Sequence, residues 1–444
     1  MRQNPFKIAS LGIQHVLAMY AGAIVVPLIV GGSLGIKGEQ LTYLVSIDIL
    51  MCGIATLLQV WRNQFFGIGL PVVLGCTFTA VGPMITIGGE YGLSAIYGSI
   101  LISGIFVVLI AKYFSKLVKF FPPIVTGSVV TIIGITLIPV AMNNMAGGQG
   151  SPDFGAPSNV ALAFGTLLII IVLYRFFHGF IRSISILLGL LAGTIIAFFL
   201  GKVDFTAVQD ASWFHMIKPF YFGMPTFEVT PVLTMILVAL VSLVESTGVY
   251  FALGDICEKK IDEKDLANGY RAEGLASIFG ALFNSFPYTT YSQNVGLLQL
   301  TGVKGKSVIY TMGGMLVLLG FIPKIGALTT VIPSAVLGGA MVAMFGMVIA
   351  YGIKMLSQVD FASQENLLII ACSVGMGLGV TVVPDLFAKL PASIQILTDN
   401  GIVAGSLTAI SLNIIFNVIK NRNHEPSRDM VSGHLSQEEK ALSR

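Results

Sequence analysis

Eleven stretches of about 20 or more nearly uncharged residues run through this chain, near 8–32, 41–61, 92–111, 121–142, 158–177, 183–201, 229–254, 306–323, 328–353, 366–384 and 400–420. Each is long enough to cross a bilayer as a helix. Water cannot solvate so many apolar faces. Only 11% of the 444 residues are charged and 55% are hydrophobic, whereas a soluble domain carries about 25% charged residues. The lipid bilayer is therefore the first partner to expect. The net charge of +3 gives no reason to expect nucleic acid. Cys52, Cys76, Cys257 and Cys372 have no metal spacing or pairing pattern and read as small apolar residues. The short basic start, residues 1–7, leads into an apolar run followed by many more, which suits a first span rather than a cleaved signal peptide.

Two further stretches, 66–88 and 270–302, are apolar but interrupted by Gly and Pro, and the second is long enough for two short segments. With them the count reaches about 14 crossings or half-crossings. Charge placement favours an even number. With both termini cytoplasmic, 20 of the 25 Lys and Arg fall on the inner side and 5 on the outer, as the positive-inside rule requires. The expected location is the cytoplasmic (inner) cell membrane, with multiple passes.

The chain also repeats itself. Pro122-x-x-Val125-x-Gly127 and Pro333-x-x-Val336-x-Gly338 each open an apolar helix, about half a chain apart. The two broken stretches, around Pro71 and Pro287, have a similar separation. Two halves of seven segments follow, and an odd number per half inverts the repeats in the membrane. The expected divisions are 1–254 (spans 1–7 with span 8), 255–420 (the remainder of the second repeat), and a polar tail, 421–444, expected to be disordered in the cytoplasm.

Backbone that is not helical survives at membrane depth only beside protein or a wet cavity. Such breaks expose helix N-termini and N–H groups that bind polar ligands. Gly69–Gly82 and Phe286–Gly302 are therefore the first binding-site candidates. Buried ionisable groups add to them, each costing roughly 2.5–3.5 kcal/mol to insert. His15, Asp48, Glu245 and Glu273 lie in apolar context. Glu245 can accept a ligand's N–H groups or hold a proton; its alternative is a structural carboxyl beside Ser246 and Thr247. Glu273 suits a proton carrier if buried, or a solvated group if interfacial. His15 reads mainly as an interhelical hydrogen-bond partner, and Asp48 has no partner legible in the sequence. Gln293 and Asn294 lie within the second break, and a primary amide matches the C=O/N–H edge of a base.

These residues carry a resemblance. Gln293-Asn-Val-Gly296-Leu-Leu-Gln-Leu-Thr301-Gly302 matches the signature Q/E-N-x-G-x-x-x-x-T-G/R of the nucleobase–ascorbate transporter family, also called the nucleobase:cation symporters. The preceding FNSFPYTTYS, the QHVLAMYAG of the first span and the VEST of the eighth fit as well. The resemblance extends over about residues 8–420 and looks like the bacterial xanthine permease branch. It implies an all-α polytopic fold of 14 segments in a 7+7 inverted repeat, core and gate domains, short antiparallel strands in segments 3 and 10, a homodimer, and an elevator-like movement. Matched position by position, Glu245 and Gln293 hold the two edges of the base and Phe78 packs on its ring. Ser292 and Thr77 line the pocket. Glu273 is tied to proton coupling, and His15, Asn294 and Thr301 support the site. Val249 stands where some members carry Asp or His, which leaves more of the coupling to Glu245 and Glu273.

The resemblance implies a proton-coupled symporter importing an oxopurine base, foremost xanthine, with no cofactor, a proton as coupling ion and no enzymatic activity. Gln rather than Glu at 293 favours xanthine or uric acid over uracil, and the small Thr77 keeps uric acid close. A sulfate-type anion transporter shares the architecture but has less need of Glu245. A membrane-embedded enzyme finds no metal cluster or nucleophile arrangement to support it.

Overall fold

The computed structural model describes residues 5–302, 304–387, 389–390, 395, 398 and 400–419; the side chains of residues 118–120, Gln293, Leu300 and Pro384 lie outside that description. The tail expected over 421–444 also lies outside the described residues. The fold is mostly helical. Helices α1 (Pro5–Ser33), α2 (Gly38–Val60), α4 (Leu93–Phe114), α5 (Pro123–Met145) and α6 (Pro157–Phe176) come from the first half. Helices α8 (Val229–Ile256), α13 (Ser334–Leu356), α14 (Gln364–Val382) and α15 (Gly401–Asn413, continued as a π turn to Ile419) come from the second. These nine are long and apolar enough to span a membrane among the described residues. A tenth comes from a bent pair, α11 (Lys306–Gly320) and α12 (Pro323–Thr330), which turn by 82° at the break before Pro323. A proline cannot continue the ladder of the preceding turn, so the stretch read as one span over 306–323 ends at the bend.

The other segments are short or polar. α7 (Ser185–Phe199) has 15 residues, α3 (Val81–Tyr91) 11 and α10 (Ser292–Thr301) 10. α9 (Glu263–Leu282) carries four charged side chains in its first half, and Asp262 caps it by accepting from the Asp265 N–H at 2.7 Å. Asp265 in turn pairs with Arg62 at 2.7 Å and Lys259 at 3.1 Å.

The packing is the same when the two halves are exchanged. α4 lies on α9 as α2 lies on α11, α1 meets α11 as α8 meets α4, and α6 packs on α13 as α14 packs on α5. α5 and α13 cross each other and form their own counterpart. The Pro-x-x-Val-x-Gly repeats fall at this crossing. A Cβ on Gly127 would lie 2.8 Å from Leu356 at the end of α13, and one on Gly338 would lie 2.2 Å from the Met145 nitrogen at the end of α5. Small residues let the two backbones approach where lipid supplies no hydrophobic drive. One helix group holds α1–α4 and α8–α12, and the other holds α5–α7 and α13–α15.

Between the halves runs a two-stranded antiparallel ribbon, β1 (Leu74–Cys76) with β2 (Tyr288–Thr290), in the register Leu74–Thr290, Gly75–Thr289 and Cys76–Tyr288. It lies where the two broken stretches were expected. Its ends are tied by Thr77 N–H to Pro287 O and Tyr291 N–H to Val73 O, both at 2.9 Å. Thr56 of α2 satisfies the outer edge, its hydroxyl accepting from Leu74 N–H at 3.1 Å and donating to Leu74 O at 3.2 Å.

Candidate functional site

Both strands run directly into helices. β1 passes through a 3-10 turn, Phe78–Ala80, into α3, and β2 passes through Tyr291 into α10. No side chain caps the start of α10, so its first N–H groups present partial positive charge to whatever lies before Ser292. α8 packs alongside, and every third or fourth residue of its inner face touches the ribbon. The hydroxyls of Ser242 and Thr77 lie 3.4 Å apart. Thr79 donates to a Glu245 carboxyl oxygen at 3.4 Å. The Ser246 hydroxyl meets that of Thr289 at 2.9 Å and accepts from the Thr290 hydroxyl at 3.3 Å. Glu245 is only half-buried, between fully buried Ser246 and Val244. A carboxylate fixed by one hydroxyl and still accessible can accept N–H donors from a ligand.

Phe78 supplies the apolar wall. Its ring lies parallel to that of Tyr291, centroids 6.1 Å apart, and meets Phe345 of α13 edge-on at 5.6 Å. Phe345 joins the other helix group to this wall. Ser292 and the first turns of α10 line a cavity of about 690 Å3 with Gly248, Tyr351, Asp255 and Lys354. The cavity therefore runs from one turn below Glu245 to the end of the molecule that carries the 257–262 loop.

The other expected residues fall around this pocket. Gln293 belongs to the first turn of α10, but its side chain lies outside the described residues. Asn294 reaches back to α1, its amide nitrogen 3.2 Å from His15 Nδ1 and 3.2 Å from His15 O. His15, 1% exposed, thus touches the signature helix rather than the pocket. Thr301 closes α10 by donating to Leu297 O at 3.0 Å, at the end remote from Ser292. Glu273 is buried at 2% exposure rather than interfacial. It accepts from the Tyr250 hydroxyl, which in turn accepts from Gln59 of α2. Asp48 is fully buried and holds β2 from behind, accepting from Ser285 at 2.7 Å and Tyr288 at 3.0 Å.

Sequence reasoning missed Tyr250, Gln59, Thr79 and Phe345. Tyr250 and Gln59 carry a usable signal, since a buried polar side chain on an apolar helix needs a partner. Phe345 carries none, because it looks like any other apolar helix residue. Among the described residues, no group of three or more His, Cys, Asp or Glu could hold a metal ion.

Residues 6–386 match a sequence model described as a permease family. The chain belongs to the nucleobase–ascorbate transporter family. It is 68% identical over 431 residues to a protein of Bacillus subtilis named xanthine permease, covering 97% of this chain and 98% of the relative. It is 68% identical to the nucleobase transporter PlUacP of Paenibacillus larvae, covering 97% of this chain and 99% of that one. It is 63% identical to the uric acid permease PucK of B. subtilis, covering 94% and 96%. These relatives are carriers, and so is this chain; it is not an enzyme. Among solved structures, the transmembrane domain of the cyanobacterial bicarbonate transporter BicA superposes with a TM-score of 0.62 at 15% identity, covering 92% of this chain and 98% of that one. That likeness shows the fold alone, an inverted-repeat architecture.

Proposed function

We propose that this permease carries an oxopurine, foremost xanthine, in symport with a proton into the cell, with uric acid as the nearest alternative. One observation carries the substrate reading: an accessible carboxylate, Glu245, stands beside the parallel Phe78 and Tyr291 rings and the uncapped start of α10. A purine dione offers N–H donors to the carboxylate, carbonyl oxygens to the helix N–H groups, and a flat face to the aromatic wall. The 68% identity to a protein named xanthine permease supports the same choice, and the 63% identity to a uric acid permease keeps urate next.

In this reading the chain has 14 segments as two inverted sets of seven. α3 with β1 and α10 with β2 form segments 3 and 10, and α9 and α7 count as spans. The group holding α1–α4 and α8–α12 is the core domain, and the group holding α5–α7 and α13–α15 is the gate. Both termini are cytoplasmic. The cavity at the 257–262 end then opens inward, and the core carries the pocket past the gate of a homodimer. Glu245 and Glu273 share the coupling, with Glu273 the proton site. A negatively charged pocket residue disfavours the sulfate-type reading, for which the shared fold is the only support.

Uptake of labelled xanthine, urate and uracil into cells expressing the protein, with and without a protonophore, tests this. Xanthine accumulation that collapses with the protonophore is expected. Well-expressed protein that moves none of the three bases overturns it.

A further inference from the structure

Glu273 presents two carboxyl oxygens with different surroundings. One accepts from Tyr250. The other, Oε2, is buried and has no protein partner. A buried carboxyl oxygen left unpaired carries its full desolvation penalty unless something satisfies it. Next to Glu273 lies a cavity of about 20 Å3 whose polar walls are Glu273, Ser103 of α4, Ser242 of α8 and Ser277 of α9. That volume holds about one water, and a buried water needs two to four polar partners. The serines have capacity left over. Ser103 donates to Ile100 O at 2.9 Å, so its lone pairs are free to accept. Ser277 donates to Glu273 O at 3.0 Å and takes the Tyr288 N–H at 3.3 Å. Ser242 turns its hydroxyl toward Thr77 at 3.4 Å, at the edge of the purine pocket.

We propose that this cavity binds one structural water that joins Glu273 to Ser242 and Thr77, making Ser103 and Ser242 positioning residues for proton coupling. The idea rests on Glu273 as the proton site. Protonated Glu273 passes its proton to the water. The water passes one of its own to the Ser242 oxygen, and Ser242 passes its hydroxyl proton to Thr77. Thr77 releases its own into the pocket. Each hydroxyl and the water end neutral, and Glu273 ends as the carboxylate. The relay explains how a carboxyl buried behind the ribbon communicates with a base it does not touch.

The test uses the full chain in proteoliposomes, reading gradient-driven xanthine accumulation and gradient-free xanthine exchange separately. Ser103→Val fills the cavity and leaves Ser242 and Thr77 unchanged. It is expected to lower accumulation about tenfold or more, in the usual range of coupling between sites, while exchange persists. Glu273→Gln runs beside it. If Glu273→Gln uncouples and Ser103→Val does not, the water relay is wrong and the proton site stands. If Glu273→Gln stays coupled, the proton-site reading fails and the relay falls with it. Should the valine also lower exchange, xanthine binding by purified protein across pH decides the matter. The relay requires Ser103→Ala and Ser242→Ala both to flatten that profile, and unchanged profiles in both overturn it.

Discussion

Glu245 and Phe78 do different work on the same ligand, and substitution separates them. In Glu245→Gln the carboxylate that Thr79 orients becomes an amide with a single acceptor. A hydrogen bond to a charged group is worth about 1.5–3 kcal/mol, so xanthine binding weakens roughly 10- to 150-fold and accumulation is lost. Wild-type uptake by that variant would remove Glu245 from the site. Phe78→Ala removes the stacking wall at about 1–3 kcal/mol per base. It weakens xanthine and urate alike, which competition binding reads directly. Asp48 acts from behind. It holds Ser285 and Tyr288 with one oxygen, and their hydroxyls also meet each other at 2.5 Å, so losing it leaves one buried O–H without an acceptor at about 1–3 kcal/mol. Asp48→Ala lowers the thermal midpoint of the purified protein more than Asp48→Asn, which keeps an acceptor; equal losses would show that the contacts carry no stability. This residue also marks the limit of reading sequence alone. Its need for a partner was legible, but Ser285 and Tyr288 lie more than two hundred positions away, and only the tertiary fold brings them to it. The pairing of Tyr250 with Glu273 was hidden the same way, on two helices that meet through packing.

At the scale of elements, hydropathy revealed the long helices because a span has to be apolar over its whole length. It could not show that α12 turns away from α11 by 82°, nor that α9 would bury Asp265 against Arg62 and Lys259. The broken stretches were legible for the opposite reason: Pro and Gly punctuate them, and their polar residues had to face protein. The loop between α7 and α8 supplies a pH test. Burial first, then the charge of Lys218, holds the His215 imidazole below its ordinary value of 6.5, and its ring packs on Tyr43 at 5.5 Å. A loop released from that contact takes up its proton at higher pH than the docked one. Docking is therefore fully favoured above 6.5 and weakens as pH falls below it. Hydrogen exchange over 211–223, corrected for its intrinsic pH dependence, should rise below pH 6.5 in the wild type and stay level in His215→Gln. A wild-type profile that is also level would show that His215 does not hold the loop.

For the whole molecule, the exchange of halves sets the expected movement. If the core travels past the gate, a bridge between them stops transport while Glu245 and Phe78 stay intact. Gly248 of α8 faces Met355 of α13, whose methyl group would lie 2.6 Å from a Cβ there. Cysteines at 248 and 355, in a background lacking Cys257 and Cys372, should be joined by a short thiol-reactive bridge. Xanthine exchange should then stop while binding persists, and reducing the bridge should restore exchange. Exchange through the bridged protein would mean that the two groups do not slide.

The ribbon of β1 and β2 has a further meaning. It ties the first half of the chain to the second by main-chain bonds at the back of the pocket, so opening the pocket would mean breaking a sheet. The binding place is thus a tray and not a jaw: its shape is settled before it travels. Preference among purines should then be the same whether they are offered from outside or inside, with discrimination built into the cargo bed and direction left to the gradient.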